Sequence, residues 1–201
     1  MRILSIMRFR VALDLDGVLA ETLAGFCKLY NKRHNGNLSL EKIKDWYFFF
    51  KKLGLSEESF LSYLDEVWSR WRDIPSTDPN ITSYLEEITR SYPIIFDIVT
   101  CRSKKTITFV KKWLEKYRIP YNSIIVAQDS SEKLNLGYDI YIDDHPDLMR
   151  MISSNEGQSV AIFYIRPWNS SLPPMRNVFT AKNWAQISRI MKNRISNLLS
   201  E

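Results

Sequence analysis

The stretch RFRVALDLDGVLAET, residues 8–22 of 201, decides the fold of this chain. An apolar run at residues 11–13 leads directly into Asp14, Leu15, Asp16 and Gly17. This order predicts a buried strand that ends in two carboxylates and a glycine. Ligands of open α/β sheets bind at the carboxyl ends of the strands, so both acids are expected to face a functional crevice. A tight Asp-Gly hairpin turn is the alternative explanation for such a stretch taken alone.

A second acidic pair, Asp143 and Asp144, also follows an apolar run, residues 140–142. Adjacent carboxylates repel one another unless a cation or a proton lies between them. Two acidic clusters at strand ends are therefore difficult to explain by stability, and they favour a functional site over a turn. Because Asp14 and Asp16 are two positions apart on an extended chain, their side chains are expected on the same side.

Four motifs in this order resemble those of the haloacid-dehalogenase-like phosphohydrolases. They are DLDGV at residues 14–18, Thr100 at the end of IIFDIVT, Lys133, and IDDHP at residues 142–146. KLNLGYDIYIDDHP, RPWN and KNW further resemble the 5'(3')-deoxyribonucleotidase-like branch. The resemblance covers the first strand and residues 93–184, but not the region between the first two motifs. It implies an α/β fold: a Rossmann-like parallel sheet with helices on both faces, plus a small helical cap inserted after the first strand.

Strands alternate with helices in the second half of the chain, which favours a parallel sheet. We expect strands at residues 94–100, 123–127, 139–142 and 159–165, with Lys133 in a loop. The turn formers at residues 74–79, IPSTDP, indicate a domain boundary. We therefore predict a catalytic core of residues 1–19 and 79–201, and a helical cap of residues 20–78 that includes a short helix from Ser39 to Trp46.

The resemblance also implies roles for the motif residues. Asp14 corresponds to a nucleophile that forms an aspartyl-phosphate, and Asp16 to the general acid and base. Thr100 and Lys133 correspond to a phosphate clamp, and an oxygen-rich acidic site of this kind suits Mg²⁺. The predicted sites are catalytic Asp14 and Asp16; substrate-binding Thr100, Cys101, Arg102, Lys133, Trp46 and Phe49; and metal-binding Asp14, Asp16 (by its backbone carbonyl), Asp143 and Asp144.

The predicted cap contains an aromatic block at residues 46–50, together with Trp68 and Trp71. These rings either form a stacking surface for a nucleobase or fill the core of a small helical bundle. Glu21 stands where relatives often carry aspartate, and this difference leaves the identity of the substrate undetermined but not the type of reaction. His145 follows the second acidic pair, and we favour a local structural role for it over a contact with a metal-bound water.

The composition excludes several classes of protein. The net charge of +5 and the pI of 9.1 favour anionic partners, but the basic residues are interleaved with acids, so nucleic-acid binding is not expected. The chain has only two cysteines, which do not make a disulfide framework of the kind found in small secreted domains. No apolar run approaches the ~20 residues of a membrane span. Cys27 and Arg33 have the spacing of a cysteine phosphatase without its glycine-rich loop. These features predict a cytoplasmic protein without membrane contact, with a homodimer as one option.

The resemblance implies a Mg²⁺-dependent phosphomonoesterase that forms an aspartyl-phosphate and acts on (deoxy)nucleoside 5'-monophosphates, and this is the function that we predict. One alternative is a phosphatase of another small phosphate ester, since the fold does not fix the substrate. The other is a non-catalytic protein that binds anions or nucleic acid on the same fold. The presence of Asp14, Asp16, Lys133 and Asp143 together argues against the latter, because binding alone does not require two acids beside a phosphate.

Overall fold

The computed structural model describes residues 8–200, without the side chains of residues 198 and 200; residues 1–7 and 201 of the predicted core lie outside it. Six strands form one sheet in the order β3-β2-β1-β4-β5-β6, and every neighbouring pair is parallel. The predicted fold class is confirmed. The strands are β1 Phe9–Leu13, β2 Ile94–Thr100, β3 Ser123–Val126, β4 Ile140–Asp143, β5 Val160–Tyr164 and β6 Val178–Ala181.

Helices connect the strands and close the chain. They are α1 Thr22–His34, α2 Phe48–Lys51, α3 Glu57–Ser69, α4 Ile81–Ser91, α5 Ile107–Lys116, α6 Ser130–Asn135, α7 Pro146–Ser154 and α8 Trp184–Ser200. The first three lie between β1 and β2, where the cap was expected, while the exact domain boundaries stay a prediction. Within residues 8–200, none of the helices combines the length and hydrophobicity that a membrane span requires.

Two local predictions were wrong, and one strand was not predicted. The helix expected from Ser39 to Trp46 is a single 3₁₀ turn, Leu40–Lys42, since the Ser39 side chain caps no helix. Lys133 lies in α6 instead of a loop, because Asp129 accepts a hydrogen bond from the backbone N–H of Glu132 and caps this helix. Strand β6 was not predicted, because its four residues, VFTA, lie at the edge of the sheet and contain a shorter apolar run than the strands that were recognised.

Both faces of the sheet are buried, as is usual for parallel sheets. Along β1, Val11 and Leu13 belong to the larger hydrophobic cluster, which includes α1, α4, α5 and α8. Ala12 points to the opposite face, where it joins a second cluster with Leu148 and Ile152 of α7. Asp97, in the middle of β2, is buried with hydrogen bonds from Asn122, Ser123 and Tyr138, whereas the predicted motifs lie at the carboxyl end of the sheet.

The segment after β1 is a turn that only glycine accommodates. Gly17 has a φ of +84°, and a Cβ at this position would lie 2.3 Å from Oδ2 of Asp144. Because β1 pairs in parallel with both β2 and β4, the Asp-Gly dipeptide does not form a hairpin. The turn instead places Gly17 directly against Asp144, the residue that follows β4.

Candidate active site

The carboxyl ends of β1, β2 and β4 open into a cavity of about 450 Å³ between the sheet and helices α1–α3. The residues that line the cavity are distant in sequence and range from Asp14 to Met151. It brings together all the predicted site residues except Phe49. Those that line it are Asp14, Asp16, Trp46, Thr100, Cys101, Arg102, Lys133, Asp143 and Asp144.

Lys133 lies at the centre of the acidic cluster. Its Nζ is 2.7 Å from Oδ1 of Asp14 and 2.8 Å from Oδ2 of Asp143, and the residue is only 5% exposed. Burial alone would lower the pKa of Lys133, but the two carboxylates outweigh burial and hold its pKa well above the ordinary value. The side chain is therefore a fixed cation and not the solvated surface lysine that a loop position would suggest.

Asp14 is a buried carboxyl group with one oxygen available. Its backbone N–H donates to the carbonyl of Ile142, which fixes the end of β1 beside β4. Burial raises the pKa of Asp14 to about 7; Lys133 opposes this rise, and Asp143 adds to it. Oδ1 accepts from Lys133, whereas Oδ2 accepts no hydrogen bond within residues 8–200. That oxygen is the one that could act on a ligand.

The acidic cluster fits a hard divalent cation. One oxygen from each of Asp14, Asp143 and Asp144 lies within 4.8 Å of the others. The pKa of Asp144 is raised well above its usual value by burial and by the neighbouring carboxylates. Mutual repulsion of this kind is relieved by a cation with oxygen ligands. The side chain of Asp16 lies outside this trio, so its predicted metal contact rests on the backbone carbonyl.

Asp16 is held by three donors from different parts of the chain. Oδ1 accepts from the hydroxyl of Thr22 at 2.5 Å and from the indole N–H of Trp68 at 2.9 Å. Oδ2 is 3.0 Å from Nε of Arg102. Trp68 belongs to α3, so the predicted cap reaches the candidate general acid directly. The sequence contained no signal for this contact, since Trp68 lies 52 positions from Asp16.

The segment after β2 lines the cavity beside Asp14. Thr100 is buried, and its hydroxyl oxygen accepts from the backbone N–H of Arg102 at 3.3 Å. Cys101 is exposed as a residue, but desolvation of its thiol at the cavity wall raises the pKa to about 11, so the sulfur is not a thiolate near neutral pH. Cys27 lies within α1, and burial raises its pKa to about 12. Neither cysteine is suited to act as a nucleophile.

The apolar end of the cavity is formed by aromatic and aliphatic side chains of the predicted cap. Trp46 lines it, with its ring 4.2 Å from that of His145. Phe49 does not: it is 2% exposed and stacks 4.4 Å from Phe60 inside the helical core. Phe50 lines the cavity in its place. Helix α2 has only four residues, too few for hydrophobic periodicity to show which ring faces inward.

His145 lines the cavity and is held by two hydrogen bonds at the start of α7, while its structural role stays a prediction. Its Nδ1 accepts from the backbone N–H of Asp147 and caps α7, and the backbone N–H of His145 donates to Oδ1 of Asp143 at 2.7 Å. Next to it, the hydroxyl of Tyr47 donates to Asp147 at 3.1 Å and joins the predicted cap to the core. Polar residues missed by the sequence analysis line another part of the cavity: Glu57, Gln128, Asp129, Ser130, Ser131 and Asp147.

Comparisons with known proteins agree with this geometry. The model of the family described as 5' nucleotidase, deoxy (pyrimidine), cytosolic type C protein matches residues 8–196. No curated protein matches the chain.

Among solved structures, a predicted phosphoglycolate phosphatase from Haemophilus somnus superposes with a TM-score of 0.60 at 13% identity, over 92% of this chain and 99% of that one. A HAD-superfamily hydrolase from Geobacter sulfurreducens superposes with a TM-score of 0.53 at 14% identity, over 92% of this chain and 96% of that one. CbbY from Rhodobacter sphaeroides, in complex with phosphate, superposes with a TM-score of 0.55 at 12% identity, over 90% of this chain and 96% of that one. Identities this low show the shared fold alone.

Proposed function

The chain belongs to the family of 5' nucleotidase, deoxy (pyrimidine), cytosolic type C proteins, and from this membership we propose that it is a Mg²⁺-dependent phosphatase of (deoxy)nucleoside 5'-monophosphates. It is a hydrolase of the phosphatase class with a HAD-like fold. The observation that carries the proposal is the contact of Lys133 with both Asp14 and Asp143 at the base of one cavity.

Asp14 is the proposed nucleophile. Its free Oδ2 attacks the phosphorus of the monoester, the bond from phosphorus to the ester oxygen breaks, and an aspartyl-phosphate and the nucleoside result. Water then attacks the phosphorus of this intermediate, which releases inorganic phosphate and restores the carboxylate. A carboxylate requires a nearby cation to remain ionised in a buried site, and the charged Lys133 supports this role.

Asp16 is the proposed acid and base. In its protonated form it gives the proton to the leaving 5'-oxygen, and in the second step it takes a proton from the attacking water. Thr22, Trp68 and Arg102 support this role because they fix the orientation of its carboxyl group. The contacts of Arg102 favour a role in holding Asp16, and its predicted contact with the substrate stays a prediction.

Mg²⁺ is the proposed cofactor, held by the side chains of Asp14, Asp143 and Asp144 and by the backbone carbonyl of Asp16. The three carboxyl groups support a hard cation with oxygen ligands. When bound, the ion neutralises charge on the phosphate oxygens. Lys133 and Thr100 are the proposed protein donors to the same phosphate.

The apolar end of the cavity supports a nucleoside as the rest of the substrate. Trp46 and Phe50 present aromatic surface there, with Leu23 and Phe60 beside them. A planar base can stack on such rings, and a volume of about 450 Å³ is within the range of small-molecule sites. Stacking alone gives weak preference among bases, because every base has a π-face.

A substrate panel tests the proposal. We expect pyrimidine and purine nucleoside 5'-monophosphates to be hydrolysed with a higher kcat/KM than sugar phosphates such as ribose 5-phosphate, with modest differences between bases. Excess EDTA should stop phosphate release and added Mg²⁺ should restore it. A preference for sugar phosphates would reject the nucleotidase assignment while leaving the phosphatase class. Equal turnover in EDTA would exclude the metal.

A phosphatase of another small phosphate ester is the second candidate. The polar side chains of Glu57, Gln128, Ser130 and Ser131 favour it, since they could bind the hydroxyl groups of a sugar or polyol. The same panel separates the two candidates.

Substitution of the cavity aromatics should affect nucleotides selectively. We expect Trp46→Ala and Phe50→Ala to raise KM for nucleoside monophosphates by about 5- to 150-fold, because one base stack contributes ~1–3 kcal/mol. KM for a small phosphate ester without a ring should change little. Tyr121→Ala, at an aromatic residue that is exposed and does not line the cavity, is the matched control. Equal KM changes for both substrate types would contradict the stacking role.

A further inference from the structure

The sequence Arg-Pro-Trp-Asn at residues 166–169 has no part in the chemistry proposed above. It forms a tight turn after β5, which we call the 166–169 turn. The backbone N–H of Arg166 donates to Oδ1 of Asn169 at 2.7 Å, and the N–H of Asn169 donates to the carbonyl of Arg166 at 3.1 Å. Asn169 is buried, and its Nδ2 also donates to the carbonyl of Tyr164 at the end of β5. The turn therefore has one defined conformation.

This turn contacts Asp144 twice. The indole N–H of Trp168 donates to Oδ2 of Asp144 at 2.8 Å, and Nδ2 of Asn169 donates to the backbone carbonyl of Asp144 at 2.8 Å. Trp168 and Asp144 are 2% and 1% exposed. Both the side chain and the backbone of Asp144 are thus held by neighbouring residues of one turn.

The turn is anchored to the segment that follows the first motif. The guanidinium of Arg166 forms an ion pair with Glu21, and both side chains are largely buried. The same guanidinium lies 5.0 Å from the ring centre of Trp168. Glu21 is itself fixed, because its backbone N–H donates to the carbonyl of Pro75. A chain of contacts therefore runs from Glu21 through Arg166 and Trp168 to Asp144.

The space around Asp144 leaves its carboxyl group little choice of rotamer. A Cβ at Gly17 would lie 2.3 Å from Oδ2 of Asp144 and 3.2 Å from Cζ2 of Trp168, so the three residues are closely packed. With Oδ2 bound to the indole, Oδ1 accepts no hydrogen bond from the part of the chain that the structure describes. One oxygen is held and the other is available.

We propose that the 166–169 turn is a positioning element for Asp144, in which the indole N–H of Trp168 holds one carboxylate oxygen so that the other faces the metal-binding cluster. This inference rests on the proposed Mg²⁺ site. Hydrogen bonds to ligating carboxylates fix their orientation, and their loss typically weakens metal binding by about 10- to 100-fold. The alternative is that Trp168 only fills space, in which case its N–H has no effect on the metal.

The substitution Trp168→Phe removes the N–H donor and keeps an aromatic ring. We expect the dissociation constant for Mg²⁺, measured by isothermal titration calorimetry on the full chain, to rise by about 10- to 100-fold. Activity should recover at saturating Mg²⁺, with KM for the substrate nearly unchanged. If the variant does not fold, 3-benzothienylalanine at position 168, which keeps the bicyclic shape without the N–H, should give the same shift.

Trp113→Phe is the matched control. Trp113 is also buried, but its indole N–H donates to the carbonyl of Ile74 at 2.9 Å instead of to an acidic side chain. Its Mg²⁺ affinity should equal that of the wild type. Unchanged affinity in the Trp168 variants, or equal weakening in the Trp113 variant, would overturn the inference. Failure of the wild type to bind Mg²⁺ would instead reject the metal site of the proposed function, and the inference with it.

Discussion

Replacing Asp14 with asparagine is expected to abolish phosphatase activity while the protein still folds. The amide oxygen can still accept from Lys133 at the position of Oδ1, so the contact at the end of β1 is retained. An amide is not a nucleophile toward phosphorus, and the loss of a nucleophile costs on the order of 10⁶-fold in kcat in well-studied hydrolases. The measurement is phosphate release at saturating nucleotide and Mg²⁺, with a thermal melt to verify folding.

Asp16→Asn provides the comparison for this experiment. It should lower kcat on nucleoside monophosphates by about 10²–10⁴-fold, the usual range for a general acid and base. The loss should be smaller for p-nitrophenyl phosphate, whose leaving group departs without a proton. Wild-type turnover by the Asp14→Asn protein would reject the covalent mechanism, and an equal loss for both leaving groups in Asp16→Asn would reject the role of Asp16 as the acid.

Replacing Lys133 with methionine is expected to reduce both function and stability. The Lys133 ammonium lies between two buried carboxylates, Asp14 and Asp143, and its loss leaves them unpaired. Removing one partner of a buried ion pair typically lowers the free energy of unfolding by about 3–5 kcal/mol. We expect this loss in EDTA and a partial recovery with Mg²⁺, since the ion can neutralise the same acids. Affinity for inorganic phosphate should fall in both conditions.

Denaturant unfolding with and without Mg²⁺, together with calorimetric titration of phosphate, measures both effects. Lys111→Met, at an exposed lysine on α5, removes the same charge from the surface and should change neither quantity. If Lys133→Met kept wild-type phosphate affinity, the clamp would have to be assigned to another cation such as Arg102. If the free energy of unfolding of Lys133→Met in EDTA equalled that of the wild type, the Lys133 ammonium would not be needed to stabilise Asp14 and Asp143.

The sequence predicted the parallel sheet and the place of the site because both depend on local patterns. Apolar runs at residues 11–13 and 140–142 are followed directly by acids, and the carboxyl ends of parallel strands lie on one edge of a sheet. Asp14 and Asp143 were therefore expected together before any packing was known, whereas Thr100 was assigned to the site only by the family resemblance. The aromatic block at residues 46–50 was predicted to present rings to the pocket, and of the two rings named, Trp46 lines the cavity and Phe49 does not.

Tertiary structure alone decided how these residues are held. Lys133 is buried because α6 directs it between two strand ends, and a contact across 119 positions leaves no local pattern. The same holds for the hydrogen bonds from the indole N–H of Trp68 to Asp16 and from that of Trp168 to Asp144. From the sequence, both tryptophans resemble ordinary core residues. By itself the sequence determined which chemical groups lie at the strand ends, because the positions where strands begin and end follow from the local hydrophobic pattern. Their partners depended on how helices and loops from distant segments pack against the sheet, which is a property of the whole chain.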